Sequence, residues 1–222
     1  MARVAPLRVM TYNVRQLRGD RAAVVEVLRS CRPDVVALQE PPRGPAGRLR
    51  LRRLAEGAGL VPVVSGGGAR TTAILVRPGL SVTLARPLRL PWRPGRTRRG
   101  LAIADVAGVR VISIHLGLVA AERSRHLVRL MPVVWAAAGA GCIVAGDLNE
   151  APGGSSWRRL VLELRDLAPG AGPTYPASAA VRRIDAVLGS SGLVASGARV
   201  VDDEVARRAS DHLPVVVDVW WP

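Results

Sequence analysis

The sequence predicts a layered α/β fold in which two packed sheets carry helices on their outer sides. Three observations predict it. The chain opens in the order strand, helix, strand, which builds layered α/β architecture. Short apolar runs of strand length, bounded by Gly, Pro and polar residues, then recur along the whole chain. Some of these runs are joined by hairpin signals and others by helix-length segments, a mixture that suits two sheets rather than one meander.

Residues 8–13 read as a strand of mixed burial. Asp20 stands where it can cap a helix reaching about Ser30, with Val24, Val25 and Leu28 at helical spacing, and Pro33 ends it. Residues 35–38 form a short apolar run that suits a buried strand and delivers Gln39-Glu40 at its end. Residues 41–53, rich in Pro, Gly and Arg, read as a loop running into a short helix. Residues 73–76 are a strand, and Pro78-Gly79 a turn. Residues 86–99 are a second basic, Pro-rich loop carrying Trp92. Residues 101–106 and 109–116 flank Ala107-Gly108 as a hairpin. A helix lies within 120–138, and 142–145 is a buried strand ending in Gly146-Asp147-Leu148-Asn149. Ser155 or Ser156 can cap a helix through Leu164, and residues 183–188, 194–201 and 213–220 read as strands. With 222 residues and no linker, repeat or charge-block tail, a single domain over residues 1–222 is expected.

Nearly half the residues are apolar, and the formal net charge is +15. A basic excess of this size concentrates polyanions near the surface. An anionic partner is therefore expected, and nucleic acid, lipid head groups and phosphorylated small molecules all qualify. There is no Lys and no Phe, so compositional bias is an equal explanation for the arginines. Without Lys there is no phosphate-cradling Gly-rich loop of the Walker type. Three scattered histidines and two lone cysteines argue against a zinc cluster or a disulfide framework. Cys142 opens an apolar run and reads as a small core residue. The first 14 residues hold no apolar leader. The longest uncharged run, 131–146, is shorter than the roughly 20 residues a bilayer needs. A cytoplasmic monomer with no transmembrane segment is expected.

The chemistry lies where apolar strands stop in polar residues. Asn13, Glu40, His115, Asp147 with Asn149, and Asp185 all sit at or inside strands, and Asp211-His212 precede one. In layered α/β folds, sites form where strand ends converge. Asp147 and Asn149 are two apart on expected extended chain, so their side chains would point the same way and hold one water between them. A turn after the strand is the competing reading. Oxygen ligands such as Glu40, Asn13 and Asp211 suit a hard divalent cation.

Thr11-Tyr12-Asn13-Val14, Leu38-Gln39-Glu40, Ser113-Ile114-His115-Leu116, Gly146-Asp147-Leu148-Asn149, Arg183-Ile184-Asp185 and Ser210-Asp211-His212-Leu213-Pro214 resemble, in order, the motifs of the endonuclease/exonuclease/phosphatase superfamily. The resemblance spans essentially the whole chain. It implies a four-layer α/β/β/α sandwich of two packed mixed β-sheets (DNase I-like). It also implies a phosphoesterase dependent on Mg²⁺, with Mn²⁺ as the alternative ion. By resemblance, Asn13, Glu40 and Asp211 are metal ligands, Asp147 orients or deprotonates the attacking water, and Asn149 helps bind the water or the phosphate. Asp185 partners His212, and His115 binds phosphate or serves as an acid. Arg98 or Arg99 contacts substrate phosphate. The expected function is hydrolysis of a phosphodiester by in-line attack of water, with a nuclease acting on DNA preferred. The alternatives are a phosphomonoesterase or lipid phosphodiesterase on the same fold, and a non-catalytic anion-binding module. One departure stands out: Thr71-Thr72-Ala73 replaces the Gly-Asn-Ala that many members carry, so the amide found there is missing. Asp34, Asp105, Asp166, Asp202 and Asp203 match no catalytic position and read as caps, turns or surface, and His126 as structural.

Overall fold

The computed structural model describes residues 6–137, 139 and 141–221. Two six-stranded mixed sheets stack face to face. In chain order the strands are β1 (Leu7–Asn13), β2 (Val35–Gln39), β3 (Val61–Ser65), β4 (Thr72–Val76), β5 (Val82–Arg89), β6 (Gly100–Val106), β7 (Val109–His115), β8 (Cys142–Asp147), β9 (Arg165–Asp166), β10 (Asp185–Gly189), β11 (Val194–Val200) and β12 (Val215–Trp220). The helices are α1 (Arg21–Cys31), α2 (Gly47–Gly57), α3 (Ala120–Trp135), α4 (Ser155–Leu160) and α5 (Glu204–Ala209). One sheet runs β11-β12-β1-β2-β4-β3 and the other β5-β6-β7-β8-β10-β9. Within each, one central pair is parallel, β1 with β2 and β7 with β8.

The four layers follow from side-chain alternation along strands. On β1 and β2, Val9, Val35 and Ala37 point into the space between the sheets, with Ile74, Ala104, Val111, Ala145 and Val187. Their neighbours Met10, Tyr12, Val36 and Leu38 point outward, under α1 and α2. On the other sheet Ile103, Ile112, Ile114 and Val144 point outward under α3 and α4. Because both faces of the central strands are covered, β2, β4 and β8 are near-continuous apolar runs. Each buried Val, Leu or Ile contributes about 1.5–3 kcal/mol of hydrophobic stabilisation.

Local signals act as read. Asp20 accepts from the Ala23 N–H at 3.1 Å and starts α1. Arg32 adopts a left-handed backbone just before Pro33 and stops it. Cys31 and Cys142 are buried free thiols. Several elements differ from expectation. The basic segment 86–99 is not all loop, since β5 runs to Arg89 as an edge strand. The edge strands β3 and β9 and the short helix α5 were not foreseen, and α4 stops at Leu160 rather than Leu164. No helix among the described residues is long and apolar enough to cross a membrane.

Candidate active site

The topology gathers the polar strand ends at one end of the sandwich. β1 and β2 are parallel with Asn13 opposite Gln39, so Asn13 and Glu40 leave the first sheet together. On the second sheet His115 is in register with Asp147, and Asp147 with Asp185, a row across β7, β8 and β10. β12 pairs antiparallel with β1, which brings Asp211-His212 back beside Asn13.

Asp147 is the hub. It is 1% exposed, and its Oδ2 accepts from Asn13 Nδ2 at 3.2 Å, a hydrogen bond that crosses between the sheets. His115 Nε2 lies 3.4 Å from the same oxygen and His212 Nε2 3.9 Å from it. The backbone N–H of Asn149 donates to Oδ1 at 2.8 Å. Burial, with the neighbouring Asp185 carboxylate adding to it, pushes the Asp147 carboxyl up to about 7. Burial alone would lower the His212 imidazole. Asp185, 2.9 Å away at Nδ1, more than reverses this and raises it to about 9. The Tyr175 ring packs against the His212 ring with centroids 4.8 Å apart. His115 has the opposite fate: burial and the nearby Arg99 and His212 charges hold it well below its ordinary value. His115 is thus neutral and His212 cationic around a shared carboxylate.

Beneath the site, Gln39 ties the sheets together. Thr11 Oγ1 donates to Gln39 Oε1 at 3.2 Å, Gln39 Nε2 donates to Ser113 Oγ at 3.3 Å, and Ser113 Oγ donates to the Leu38 carbonyl at 3.1 Å. Gln39 is the one polar side chain in an otherwise apolar strand, a signal that marks it out in the sequence.

Asn149 departs from the extended-chain reading. Its backbone is left-handed (φ 51°), and its side-chain amide donates to the Leu116 carbonyl at 2.9 Å. The turn reading is the one observed: Asn149 holds the loop and points its backbone N–H at Asp147. Its neighbour Glu150 pins the same loop. The Glu150 carboxylate accepts from Arg123 at 2.7 Å and from the Ser156 and Trp157 N–H groups at the start of α4, at 2.6 and 3.2 Å. Nothing local in the sequence pairs Arg123 with Glu150.

Arg98 and Arg99 separate. Arg99 is 7% exposed, its Nη1 donates to the His115 carbonyl at 3.4 Å, and its Nε has no partner. Burial lowers it, opposed by the charges of Asp147, Glu122 and Glu40. It is a buried guanidinium facing the centre. Arg98 turns away and stacks over the Trp92 ring at 4.2 Å.

Asn13, Glu40 and Asp211 offer oxygen donors of the type a hard cation takes. The Glu40 carboxylate has no hydrogen-bond or ion-pair partner among the described residues, and its backbone is left-handed (φ 49°). Asp211 pairs with Arg15 at 3.4 Å, and Asn13 Oδ1 accepts the Arg15 N–H at 3.1 Å. One atom each of Asp147, Asp185 and His212 also lie within 4.8 Å of one another. That second group suits a cation less well, because its imidazole is already charged. At the departure from the family pattern, the buried Thr71 hydroxyl has no partner, and the Thr71 carbonyl accepts the Glu40 N–H at 2.9 Å. The remaining acids serve structure as expected: Asp34, Asp105, Asp166 and Asp202 pair with arginines, and Asp203 caps α5. His126 is buried and contacts the Pro91 carbonyl at 3.3 Å.

A two-sheet α/β/β/α sandwich with its acids, histidines and one buried arginine gathered at a single end is the architecture of DNase I-like phosphoester hydrolases. The chain belongs to the endonuclease/exonuclease/phosphatase family, whose sequence profile matches residues 10–212 and whose members hydrolyse phosphate esters. Solved structures agree. An endonuclease/exonuclease/phosphatase from Beutenbergia cavernae is 26% identical, with 98% of this chain and 72% of that one covered and a TM-score of 0.70. A mannosyl-6-phosphatase from Bacteroides thetaiotaomicron has the same fold at 17% identity, with 97% and 100% covered and a TM-score of 0.78. D. rerio TDP2, complexed with single-strand DNA product, does so at 18% identity, with 98% and 100% covered and a TM-score of 0.74. No curated protein matches the chain.

Proposed function

We propose that this chain, acting as one domain over residues 1–222, hydrolyses a phosphodiester by in-line attack of water and depends on a divalent cation, Mg²⁺ or Mn²⁺. The observation that carries this reading is the buried Asp147 between a neutral His115 and a cationic His212, facing a buried arginine. Glu40, with Asn13 and Asp211, would hold the cation, which when bound supplies positive charge to the phosphate being cut. Asp147, poised near neutrality, accepts a proton from water as the water oxygen bonds to phosphorus. The bond to the leaving oxygen breaks on the opposite side. His212, kept charged by Asp185, and Arg99 stabilise the negative charge growing on the phosphoryl oxygens. Neutral His115 steadies Asp147, and Asn149 fixes the loop that carries it.

A DNA-directed activity is preferred because the basic excess favours polyanions. A phosphomonoesterase on the same centre is the second reading, favoured by the fold shared with the mannosyl-6-phosphatase. The test is hydrolysis of plasmid DNA, abasic duplex, RNA, sphingomyelin, inositol phosphates and bis-p-nitrophenyl phosphate, each with Mg²⁺, Mn²⁺ or EDTA. Cation-dependent cleavage of at least one ester is expected, and which ester is cut separates the readings. Equal rates in EDTA, or no cleavage of any ester, would overturn the proposal.

A further inference from the structure

Beside the catalytic centre lies a cleft of about 410 Å³. Two chain-adjacent pairs join them. Glu40 faces the centre and Pro41 and Pro42 line the cleft, while Arg99 faces the centre and Arg98 lines the cleft. Consecutive Cα atoms are ~3.8 Å apart, so centre and cleft are one residue's step from each other on both walls.

Four arginines reach this cleft from three separate segments: Arg43 and Arg48 around the start of α2, Arg70 before β4, and Arg98 before β6. No acidic residue lines it, and among the described residues none of the four makes an ion pair. Arg8, Arg77, Arg110, Arg123 and Arg183, by contrast, have carboxylate partners that offset their charge. The first turn of α2 lies in the same wall with no acidic residue and no side-chain cap, so its free N–H groups add to the positive field. Like charges gathered from distant segments repel one another, an arrangement stabilised when an anion sits among them. Arg98 also rests on the exposed ring of Trp92 at 4.2 Å, which holds its guanidinium in place.

We infer that the cleft is a subsite for a second phosphate of the substrate, next along the molecule from the phosphate being cut. This rests on the phosphodiesterase reading above and sharpens it: the preferred substrate carries at least two phosphates. The second could belong to a polynucleotide strand or to a bisphosphorylated small molecule, and the chemistry held by the arginines is the same.

The test has a binding arm and a kinetic arm. In EDTA, so that no divalent cation contributes, calorimetry measures binding of 5′-phosphorylated thymidine tetranucleotide and of inorganic pyrophosphate to wild type and to Arg43→Ala/Arg48→Ala. Both charge-assisted contacts are lost in the double variant, so at least tenfold weaker binding is expected, with partial recovery in Arg43→Lys/Arg48→Lys. The salt dependence of tetranucleotide binding should flatten with it. With Mg²⁺, the kcat/KM preference for the tetranucleotide over bis-p-nitrophenyl phosphate, which has a single phosphate, should fall by at least tenfold. Tight binding of the tetranucleotide alone assigns the second phosphate to a strand. Equal binding of pyrophosphate assigns it to a small molecule. Unchanged binding of both probes in the alanine variant overturns the subsite. If wild type hydrolyses neither substrate, the phosphodiesterase reading falls, while the binding arm still decides what the cleft holds.

Discussion

Asp185→Asn isolates the contribution of one charge. Asn keeps the size of the side chain and a group able to face His212 Nδ1, but removes the negative charge 2.9 Å from it. Burial lowers His212, and the Asp185 charge and hydrogen bond are the largest influences raising it to about 9. Without them the imidazole should return to its ordinary 6.5 or below. That shift corresponds to about 3 kcal/mol at 1.36 kcal/mol per unit. At pH 8 the charged fraction of His212 would drop from about nine-tenths to a few hundredths, roughly a thirtyfold loss of the cationic form. The His212 resonance, titrated by NMR, should report the fall directly. kcat at pH 8 should drop about thirtyfold and recover in part near pH 6. Stability carries the same sign. A raised histidine stabilises the fold fully below 6.5 and loses that contribution as pH rises through about 9, so Asp185→Asn should destabilise more at pH 6 than at pH 9.5. A variant whose His212 still titrates near 9, or whose rate at pH 8 matches wild type, would refute the assignment of that charge to Asp185.

Gly146→Ala would place a Cβ 2.0 Å from the Ile114 carbonyl oxygen, between parallel strands and next to Asp147. A loss upwards of ~2 kcal/mol in urea unfolding is expected, with activity falling further than stability accounts for. Glu150→Ala leaves Arg123, whose side chain is 9% exposed, without its carboxylate and uncaps α4. About 3–5 kcal/mol should be lost from the same measurement, because a buried charge is stranded. His126 is lowered chiefly by burial, so the unfolded chain takes up a proton below pH 6.5 that the folded chain refuses. Comparing unfolding free energies at pH 7.5 and pH 5, the drop should be smaller in His126→Gln than in wild type.

The legible parts of the fold are those covered on both faces. β2 and β8 show as apolar runs closed by a polar residue because helices lie on one side of them and the other sheet on the other. β3 and β5 were missed for the converse reason. Both are edge strands with water on part of their surface, and each contains a proline, Pro62 or Pro87, that an edge tolerates. α5 has only six residues, too few for a helical period to show. At the site, the polar residues closing each strand were visible one by one, since a carboxylate or imidazole after an apolar run is conspicuous. Their partnerships were not. That Arg99 turns inward while Arg98 stacks on Trp92 depends on which side of a strand start each falls. The bridge from Thr11 through Gln39 to Ser113 exists only once two sheets are stacked.

Asn13 and Glu40 stand on one sheet, while His115, Asp147 and Asp185 stand on the other. Asp211 and His212 arrive just ahead of β12, which docks against β1, the first strand. The proposed catalytic group is therefore drawn from both extremes of the sequence, and neither sheet alone carries all of it. On the proposed mechanism, a chain whose two sheets are not yet stacked should not cleave phosphate esters. Turnover should then report complete folding, and a partly folded population should lose activity in proportion to the molecules whose last strand is undocked.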